Sequence, residues 1–234
     1  MRAIQLLLFV FLGIMSALKA MADGMVVDKV YHPYVLPYER EVEWRLASHN
    51  TNEGNLLRQR LGIGHSLTEY VSFEGYLIGE RDEQGDFGLR SYEIEARWML
   101  TTPGKYWADL GLLFEVERQS DKNNWEASGA VLAEKEFGRY SLTMNSFTAF
   151  EWGEDIESEW ESELRLQWRY RWIPLLQPAI EVYSGEDFVG IGPGAIGILR
   201  FDGQKQLKWE AGYISEVAHA GKDNTFRIAL EFEY

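Results

Sequence analysis

Residues 225–234 of the chain read TFRIALEFEY, and the order of these residues indicates how the chain folds. Apolar side chains occur at every second position and alternate with charged or small ones. Successive side chains of a β-strand point to opposite faces of a sheet, so a period of two predicts a strand with one apolar and one charged face. The apolar set is Phe226, Ile228, Leu230, Phe232 and Tyr234.

The same alternation recurs along the chain from residue 39 to residue 234, and no helical period competes with it. It predicts an all-β fold, a single antiparallel transmembrane β-barrel of about 12 strands. The predicted strands cover residues 39–48, 56–65, 70–80, 89–100, 106–118, 124–136, 140–152, 159–170, 176–184, 195–201, 206–216 and 225–234. The glycine-rich stretch 190–194 is interpreted as part of a loop before the tenth strand.

A soluble β-barrel or sandwich also alternates, but its apolar face points inward. Three features favour the inverted arrangement, with the apolar face toward lipid. The predicted strands are about ten residues long, enough to cross a bilayer when tilted. The connections alternate between polar, acidic loops and tight turns, as transmembrane barrels do. Aromatic residues such as Trp125 and Trp160 at one end of the strands, and Tyr140 and Tyr170 at the other, predict two interfacial girdles.

The segment before the first strand divides into two parts. Residues 1–22 resemble a secretory signal peptide, with Arg2, an apolar run over 4–15 and an Ala-Met-Ala cleavage site at 20–22. Residues 23–38 are predicted to form a periplasmic leader, and residues 39–234 the barrel. As an alternative, the leader folds back into the barrel mouth with Tyr31, Tyr34 and Tyr38 as packing groups.

The composition excludes several kinds of site. The 234 residues contain no cysteine, which excludes a disulfide scaffold, a thiolate metal site and a cysteine nucleophile. The net charge of −14 argues against nucleic acid as a partner. Four dispersed histidines and six unclustered methionines suggest no metal site, and no cofactor-binding motif stands out.

The last nine residues resemble the C-terminal signature of Gram-negative outer-membrane β-barrel proteins, in which alternating apolar residues end on an aromatic one. Two stretches, Val30-Tyr31-His32-Pro33-Tyr34-Val35 and Tyr106-Trp107-Ala108-Asp109, also make the chain similar to an uncharacterised group of small, porin-like proteobacterial barrels. The resemblance implies an outer-membrane location, contact with lipid and lipopolysaccharide, and recognition of the terminal strand by the barrel assembly machinery. It implies no substrate.

If the apolar face meets lipid, the charged face lines the lumen, where acidic residues outnumber basic ones. The hypothesis is passive or facilitated passage of small solutes, with a negative lumen that favours cations. The alternative is a structural or interaction barrel whose lumen is filled by paired charges. The candidate selectivity residues are Arg58, Arg60, Glu93, Glu95, Arg97, Glu115, Glu163, Arg165, Glu181, Glu210, Arg227 and Glu231.

A lipid-active outer-membrane enzyme is a second alternative. A serine hydrolase needs its nucleophile, base and orienting acceptor within mutual reach. The adjacent His65 and Ser66 point to opposite faces of a strand and form a poor dyad. The chain is therefore expected not to be an enzyme, and no catalytic residue is assigned.

Overall fold

The structure is a computed structural model that describes residues 27–50, 54–81, 85–154, 156–185, 188–203, 205–217 and 223–234. It contains twelve β-strands in chain order. They are β1 (Arg40–Asn50), β2 (Asn55–Ser66), β3 (Val71–Arg81), β4 (Phe87–Met99), β5 (Asp109–Gln119), β6 (Trp125–Phe137), β7 (Tyr140–Trp152), β8 (Glu159–Tyr170), β9 (Gln177–Ser184), β10 (Val189–Arg200), β11 (Gln206–Glu216) and β12 (Asn224–Glu233). Within the described ranges, no helix has the length and apolarity needed to cross a membrane.

Each strand pairs in antiparallel fashion with its neighbours in sequence, and β1 pairs with β12 to close the barrel. The closing register places Trp44 opposite Leu230 and Glu43 opposite Glu231. Closure leaves no sheet edge with unpaired backbone groups, which is the condition for a sheet to span lipid. The predicted fold class is confirmed.

The two faces of the barrel differ as the alternation predicts. Ile63 and Ile94 on the outer face are 69% and 66% exposed, whereas Glu43 and Glu95 on the inner face are 2% and 0% exposed. Apolar side chains therefore cover the outside and charged side chains fill the inside. The soluble alternative, with an apolar interior, is wrong.

Aromatic side chains gather toward both ends of the barrel on this outer surface. We call the end where β1 begins and β12 ends the proximal end, and the opposite end the distal end. Toward the distal end Trp125 stacks on Trp152, with ring centroids 6.4 Å apart. Toward the proximal end Tyr140 and Tyr170 lie 5.1 Å apart. Two such bands match the interfacial girdles of transmembrane barrels.

The interpretation of residues 190–194 as a loop is wrong, because β10 begins at Val189 and contains them. The glycines are needed inside the barrel rather than in a turn. The guanidinium of Arg227 on β12 reaches Glu181 on β9 over two intervening strands, with Nη2 to Oε1 at 2.5 Å. A Cβ on Gly194 of β10 would lie 2.5 Å from Glu181 Oε1, and one on Gly212 of β11 would lie 3.0 Å from Arg227 Nε.

The strand predicted at residues 106–118 begins later, at Asp109. The Asp109 carboxylate accepts a hydrogen bond from the backbone N–H of Gly104 at 2.7 Å, which holds the preceding residues in a turn. Tyr106 and Trp107 are exposed in this connection. It makes the proximal connection over 100–108 longer than each distal connection, so the predicted contrast between short turns and long loops does not appear.

Gly194→Ala tests why glycine occupies these strand positions. The new methyl group must displace the Glu181 carboxylate, which Arg227, Gln167 and Tyr183 all bind. Because disrupting a buried ion pair leaves uncompensated charge, we expect a loss of about 2–4 kcal/mol in the free energy of unfolding. Samples in detergent are heated to a series of temperatures before electrophoresis. The measurement is the temperature at which the band of the folded protein moves to the position of the unfolded protein.

The matched control is Gly75→Ala, since a Cβ at that strand position would have a backbone oxygen of residue 93 at 4.0 Å as its nearest neighbour. Equal transition temperatures for the two variants would contradict the role assigned to Gly194.

Candidate functional site

Residues 27–35, here called the luminal segment, run through the inside of the barrel. Val27 packs against Tyr183 and Ile214 near the distal end, and Tyr34 reaches Asp109 at the proximal end. Val30 and Tyr31 in between are 0% and 1% exposed. The segment therefore occupies the lumen from near the distal end of the barrel to its proximal end.

This position corrects the prediction of a periplasmic leader over residues 23–38 for residues 27–35, which lie inside the barrel. The luminal segment carries charges and rings that the inner wall binds, as shown below. The predicted signal peptide lies outside the described residues, and its cleavage site stays a prediction.

The chain turns from the luminal segment into β1 at Pro37 and Tyr38. Tyr38 has a φ of 58°, and the backbone N–H of Glu39 donates to the carbonyl oxygen of Leu36 at 3.5 Å. Proline followed by a residue of positive φ is the pattern of a type II turn. Tyr38 is 70% exposed, so it does not pack in the lumen as the folded-back alternative proposed.

Asp28 lies among three arginines of the barrel wall. Its Oδ2 atom is 3.2 Å from Arg45 Nη1, 3.6 Å from Arg60 Nη1 and 4.0 Å from Arg165 Nη1. The three guanidinium groups come from β1, β2 and β8 and converge on one carboxylate. A carboxylate taken into a low-dielectric interior needs such partners, since unpaired buried charge is costly.

Lys29, the next residue, has the opposite charge and opposite partners. Its Nζ atom lies 2.9 Å from Glu43 Oε1 on β1 and 2.6 Å from Glu231 Oε2 on β12. The backbone is held as well. Arg165 Nη1 donates to the Lys29 carbonyl oxygen at 2.8 Å, and the Tyr183 hydroxyl donates to the Asp28 carbonyl oxygen at 2.7 Å.

Tyr31 is bound by both its backbone and its ring. The side-chain amide of Asn145 accepts from Tyr31 N at 2.7 Å and donates to Tyr31 O at 2.8 Å, so it acts as a strand partner would. The guanidinium carbons of Arg45 and Arg97 lie 5.3 and 5.5 Å from the ring centroid, within cation–π range. The ring packs in a cluster with Leu113, Ala130, Leu132 and Phe147.

Two acidic side chains bind the proximal part of the luminal segment, and a glycine of the wall leaves room for it. His32 Nδ1 lies 2.6 Å from Glu134 Oε2, and the Tyr34 hydroxyl donates to Asp109 Oδ2 at 3.0 Å. Between them, Pro33 Cβ would lie 3.1 Å from a Cβ built on Gly111. A side chain on Gly111 would therefore compete with the segment for space.

A charged cluster lies where β1 and β12 meet at this end. Lys208 contacts Glu231 and Glu233. Burial and the neighbouring Glu233 carboxylate raise the pKa of Glu39 to about 8. Glu39 is therefore mainly protonated at neutral pH, and it can donate a hydrogen bond to a carboxylate instead of repelling it.

All twelve candidate selectivity residues lie on the inner face, and most pair with one another. The pairs within the set are Arg60 with Glu93, Arg97 with Glu95, Arg165 with Glu163, and Arg227 with both Glu181 and Glu210, while Arg58 pairs with Glu117 outside the set. Glu115 accepts from Ser128 and Tyr31, and Glu231 binds Lys29. Three of these pairs, Arg58–Glu117, Arg60–Glu93 and Arg227–Glu181, join strands that are not neighbours, so they reach over the one or two strands between them.

A cavity of about 120 Å³ lies beside the luminal segment in the distal half of the barrel. Its acidic lining residues are Asp28, Glu93, Glu115, Glu117, Glu126, Glu151, Glu161 and Glu163, and its basic ones are Arg58, Arg60 and Arg165. Phe147 and Ala149 form an apolar part of the lining. The cavity is therefore a mainly acidic space.

The apolar residues that receive the luminal segment were missed from the sequence. Leu113, Leu132, Phe147, Tyr183 and Ile214 occupy inward positions where the alternation predicts polar groups. The signal was available as local runs in which both faces are apolar, such as Leu112-Leu113-Phe114. Those runs blur the alternation, and an inward apolar side chain requires an apolar partner inside the barrel.

Carboxylates are the groups here that could hold a metal ion. Among the described residues, three sets have one oxygen from each member within 4.8 Å of the others. The sets are Glu39, Glu41 and Glu233; Glu93, Glu95 and Glu115; and Glu151, Glu159 and Glu161. In the second set, Arg60, Arg97, Tyr31 and Ser128 already bind carboxylate oxygens.

The described histidines contact groups other than serine hydroxyls. His49 Nδ1 lies 2.7 Å from Thr225 Oγ1, and His65 Nδ1 lies 2.9 Å from the carbonyl oxygen of Glu39. His219 lies outside the described residues.

The apolar residues of the predicted assembly signal all lie on the outer face of β12 or directly after it. Phe226, Phe232 and Tyr234 are exposed, and Ile228 and Leu230 are half-buried. Their recognition by the assembly machinery stays a prediction.

No protein-family profile and no curated protein matches the chain. Solved structures of outer-membrane barrels do match. The COG4313 outer membrane channel from Pseudomonas putida F1 has a TM-score of 0.60 and 14% identity, over 88% of this chain and 98% of that one. The KdgM porin has a TM-score of 0.55 and 12% identity, over 82% and 98%. The translocator domain of the autotransporter NalP from Neisseria meningitidis has a TM-score of 0.52 and 11% identity, over 85% and 88%.

Identities this low relate the chain to these proteins by fold. The closed twelve-stranded barrel, its apolar outer surface and these likenesses confirm the fold predicted from the sequence, a transmembrane β-barrel of the outer-membrane type.

Proposed function

We propose that the protein is an outer-membrane channel for small solutes, and that the luminal segment closes it in this structure. The observation that carries the proposal is the way the lumen is filled. A separate stretch of chain occupies it and is held by ion pairs and hydrogen bonds as well as by apolar contacts. The polar contacts can be exchanged for contacts with water and dissolved ions.

The barrel wall is suited to remain open once the segment moves. Twelve strands enclose a wider space than the eight of a barrel filled by its own side chains. Arg60 and Arg165 keep their glutamates, Glu93 and Glu163, whether or not Asp28 is present. A wall with paired, polar groups is stable against water, so the vacated lumen would hydrate.

The tether of the segment is consistent with movement. Its C-terminal end continues through the Pro37–Tyr38 turn into β1. If the signal peptide is removed after Ala22 as predicted, only residues 23–26 precede the segment. It would then be attached to the barrel at one end only.

A structural barrel with a permanently filled lumen is the second candidate. The two-sided binding of the Tyr31 backbone by Asn145 favours it, because this fixes the middle of the segment to β7. Conductance distinguishes the two candidates. The hypothesis of a lipid-active enzyme keeps its own test, a lipase assay on the purified protein.

Removing the charges of the segment should open the channel. In the double variant Asp28→Asn with Lys29→Gln, the ion pairs to Arg45, Glu43 and Glu231 are lost while the side chains keep their size. We expect the mean conductance in planar bilayers to rise severalfold over that of the unchanged protein.

A reversible lock supplies the control. The chain has no cysteine, so Pro33→Cys and Gly111→Cys introduced into the double variant provide its only thiols. The Cβ separation of 3.1 Å is near the 3.5–4.5 Å range of disulfides, so the pair can form with a small shift. Oxidation should suppress the conductance, and dithiothreitol should restore it. If neither the double variant nor its cysteine-bearing form with reduced thiols conducts ions or supports liposome swelling, the filled structural barrel is the function.

The acidic cavity predicts that the open channel prefers cations. Acidic groups outnumber arginines around it, and a negative field in a narrow passage concentrates cations. The measurement is the reversal potential, in a KCl gradient, of the double variant Asp28→Asn with Lys29→Gln. Glu126→Gln with Glu161→Gln should reduce the preference. Anion preference in the parent double variant would refute the assignment.

A further inference from the structure

We infer that the outer surface of the barrel carries, at its proximal end, a binding site for the phosphate group of an anionic phospholipid, formed by Trp107, Lys135 and Phe137. The site lies on the opposite side of the barrel wall from the lumen. The inference therefore goes beyond the proposed function, and it holds whether or not the barrel conducts ions.

Lys135 occupies a position that faces the membrane. On β6 it shares the outward face with Val131, Ala133 and Phe137, and the side chains of Val131 and Phe137 are 48% and 55% exposed. Glu134, on the inward face of the same strand, is 1% exposed. A lysine that faces lipid is costly near the middle of a bilayer and tolerated at the level of the headgroups. Lys135 is two residues from the end of β6, so we place it at that level.

Two aromatic rings contact the ammonium group of Lys135. Its Nζ atom lies 5.6 Å from the ring centroid of Trp107 and 6.0 Å from that of Phe137, within cation–π range. Among the described residues, Lys135 forms no ion pair with a carboxylate. The rings orient the ammonium group but carry no full negative charge, and a lipid phosphate would supply one.

Trp107 belongs to the longest of the proximal connections, residues 100–108. A hydrogen bond from the backbone N–H of Leu110 to Thr101 Oγ1, at 2.8 Å, joins the two ends of this connection. The indole of Trp107 is 79% exposed. Residues 138–139 are enough to connect the next two strands, so the longer connection is not needed to close a hairpin. It places beside Lys135 an indole whose N–H can donate to a phosphate oxygen.

Apolar side chains adjoin the lysine and continue toward the middle of the barrel. Leu142 of β7 lies opposite Lys135, and Leu110 of β5 lies opposite Ala133. Leu110, Leu142 and Val131 are 38%, 43% and 48% exposed. A cation near the rim with an apolar surface next to it matches an amphiphile that has both a phosphate and acyl chains.

The charge of the site selects the headgroup. One ammonium group matches the single negative charge of the phosphodiester in phosphatidylglycerol. Phosphatidylcholine carries its own cation beside the phosphate, which weakens the attraction to a lysine. A phosphate monoester, as in lipid A, carries about 1.5 to 2 negative charges near neutral pH and would need a further basic group. The occupant we assign is therefore a phospholipid with an anionic, singly charged headgroup.

The test is a titration of the full protein in detergent with dioleoylphosphatidylglycerol. Native mass spectrometry gives the dissociation constant of the first bound lipid. Lys135→Gln should raise this constant about fivefold, the effect of one lysine near a lipid phosphate. Lys135→Arg keeps the charge and should stay close to the unchanged protein. Dioleoylphosphatidylcholine, which has the same acyl chains, should bind the unchanged protein more weakly.

Two further variants locate the site. Trp107→Leu keeps an apolar side chain but removes the indole N–H, so it should also weaken binding of phosphatidylglycerol. Lys205→Gln is the matched control, because it removes an exposed cation from another proximal connection. It should leave the dissociation constant unchanged. Gel mobility before and after heating shows that each variant is folded.

Loss of affinity in Lys135→Gln and Trp107→Leu, with affinity retained in Lys135→Arg and Lys205→Gln, supports the site. Equal losses in Lys135→Gln and Lys205→Gln would refute it, since binding would then follow the total charge of the rim. Equal affinity for the two phospholipids would also refute it, because the phosphate would not be recognised by its charge. Tighter binding of monophosphoryl lipid A than of phosphatidylglycerol would overturn the choice of a phospholipid as the occupant.

Discussion

The structure depends on the pairing of charges inside a barrel whose outside must be apolar. A strand that crosses lipid places every second side chain inward, so twelve strands bring a large number of polar groups into a narrow space. Unpaired, these groups would cost more free energy than the fold provides. Most charged groups of the wall are paired with other wall groups, in part by arginines that reach over neighbouring strands, as Arg227 does to Glu181.

This requirement explains features that appear unrelated at first. Gly194 of β10 and Gly212 of β11 leave room for the Arg227–Glu181 pair, which passes over them. Two adjacent residues of the luminal segment have opposite charges because they meet opposite partners on the wall. Tyr31 lies between arginines and an apolar cluster because its ring can satisfy both. The interior is specified by complementarity between the segment and the wall as much as by the wall itself.

The alternation of residues was sufficient to predict the strands, the closed barrel and the inward direction of the charged residues, because each follows from a period of two in the local sequence. The luminal segment could not be predicted in the same way. Whether Asp28 lies inside or outside depends on Arg45, Arg60 and Arg165, which are distant in sequence and meet only in the folded barrel. The prediction of where β10 begins was wrong for a related reason. A glycine such as Gly194, which makes room for an ion pair formed by distant residues, looks in the sequence like a loop glycine.

Lys29 also bears on the order in which the barrel forms. Its ammonium joins Glu43 on the first strand to Glu231 on the last, so it bridges the junction at which the sheet closes on itself. Residues 29 and 231 are 202 positions apart in the chain, and their contact spans the junction at which β12 pairs with β1. Because the segment lies within the ring of strands, it must be enclosed as closure occurs or be threaded in afterwards. The ion pairs of Lys29 therefore stabilise the closed barrel, and a partly assembled sheet lacks that stabilisation.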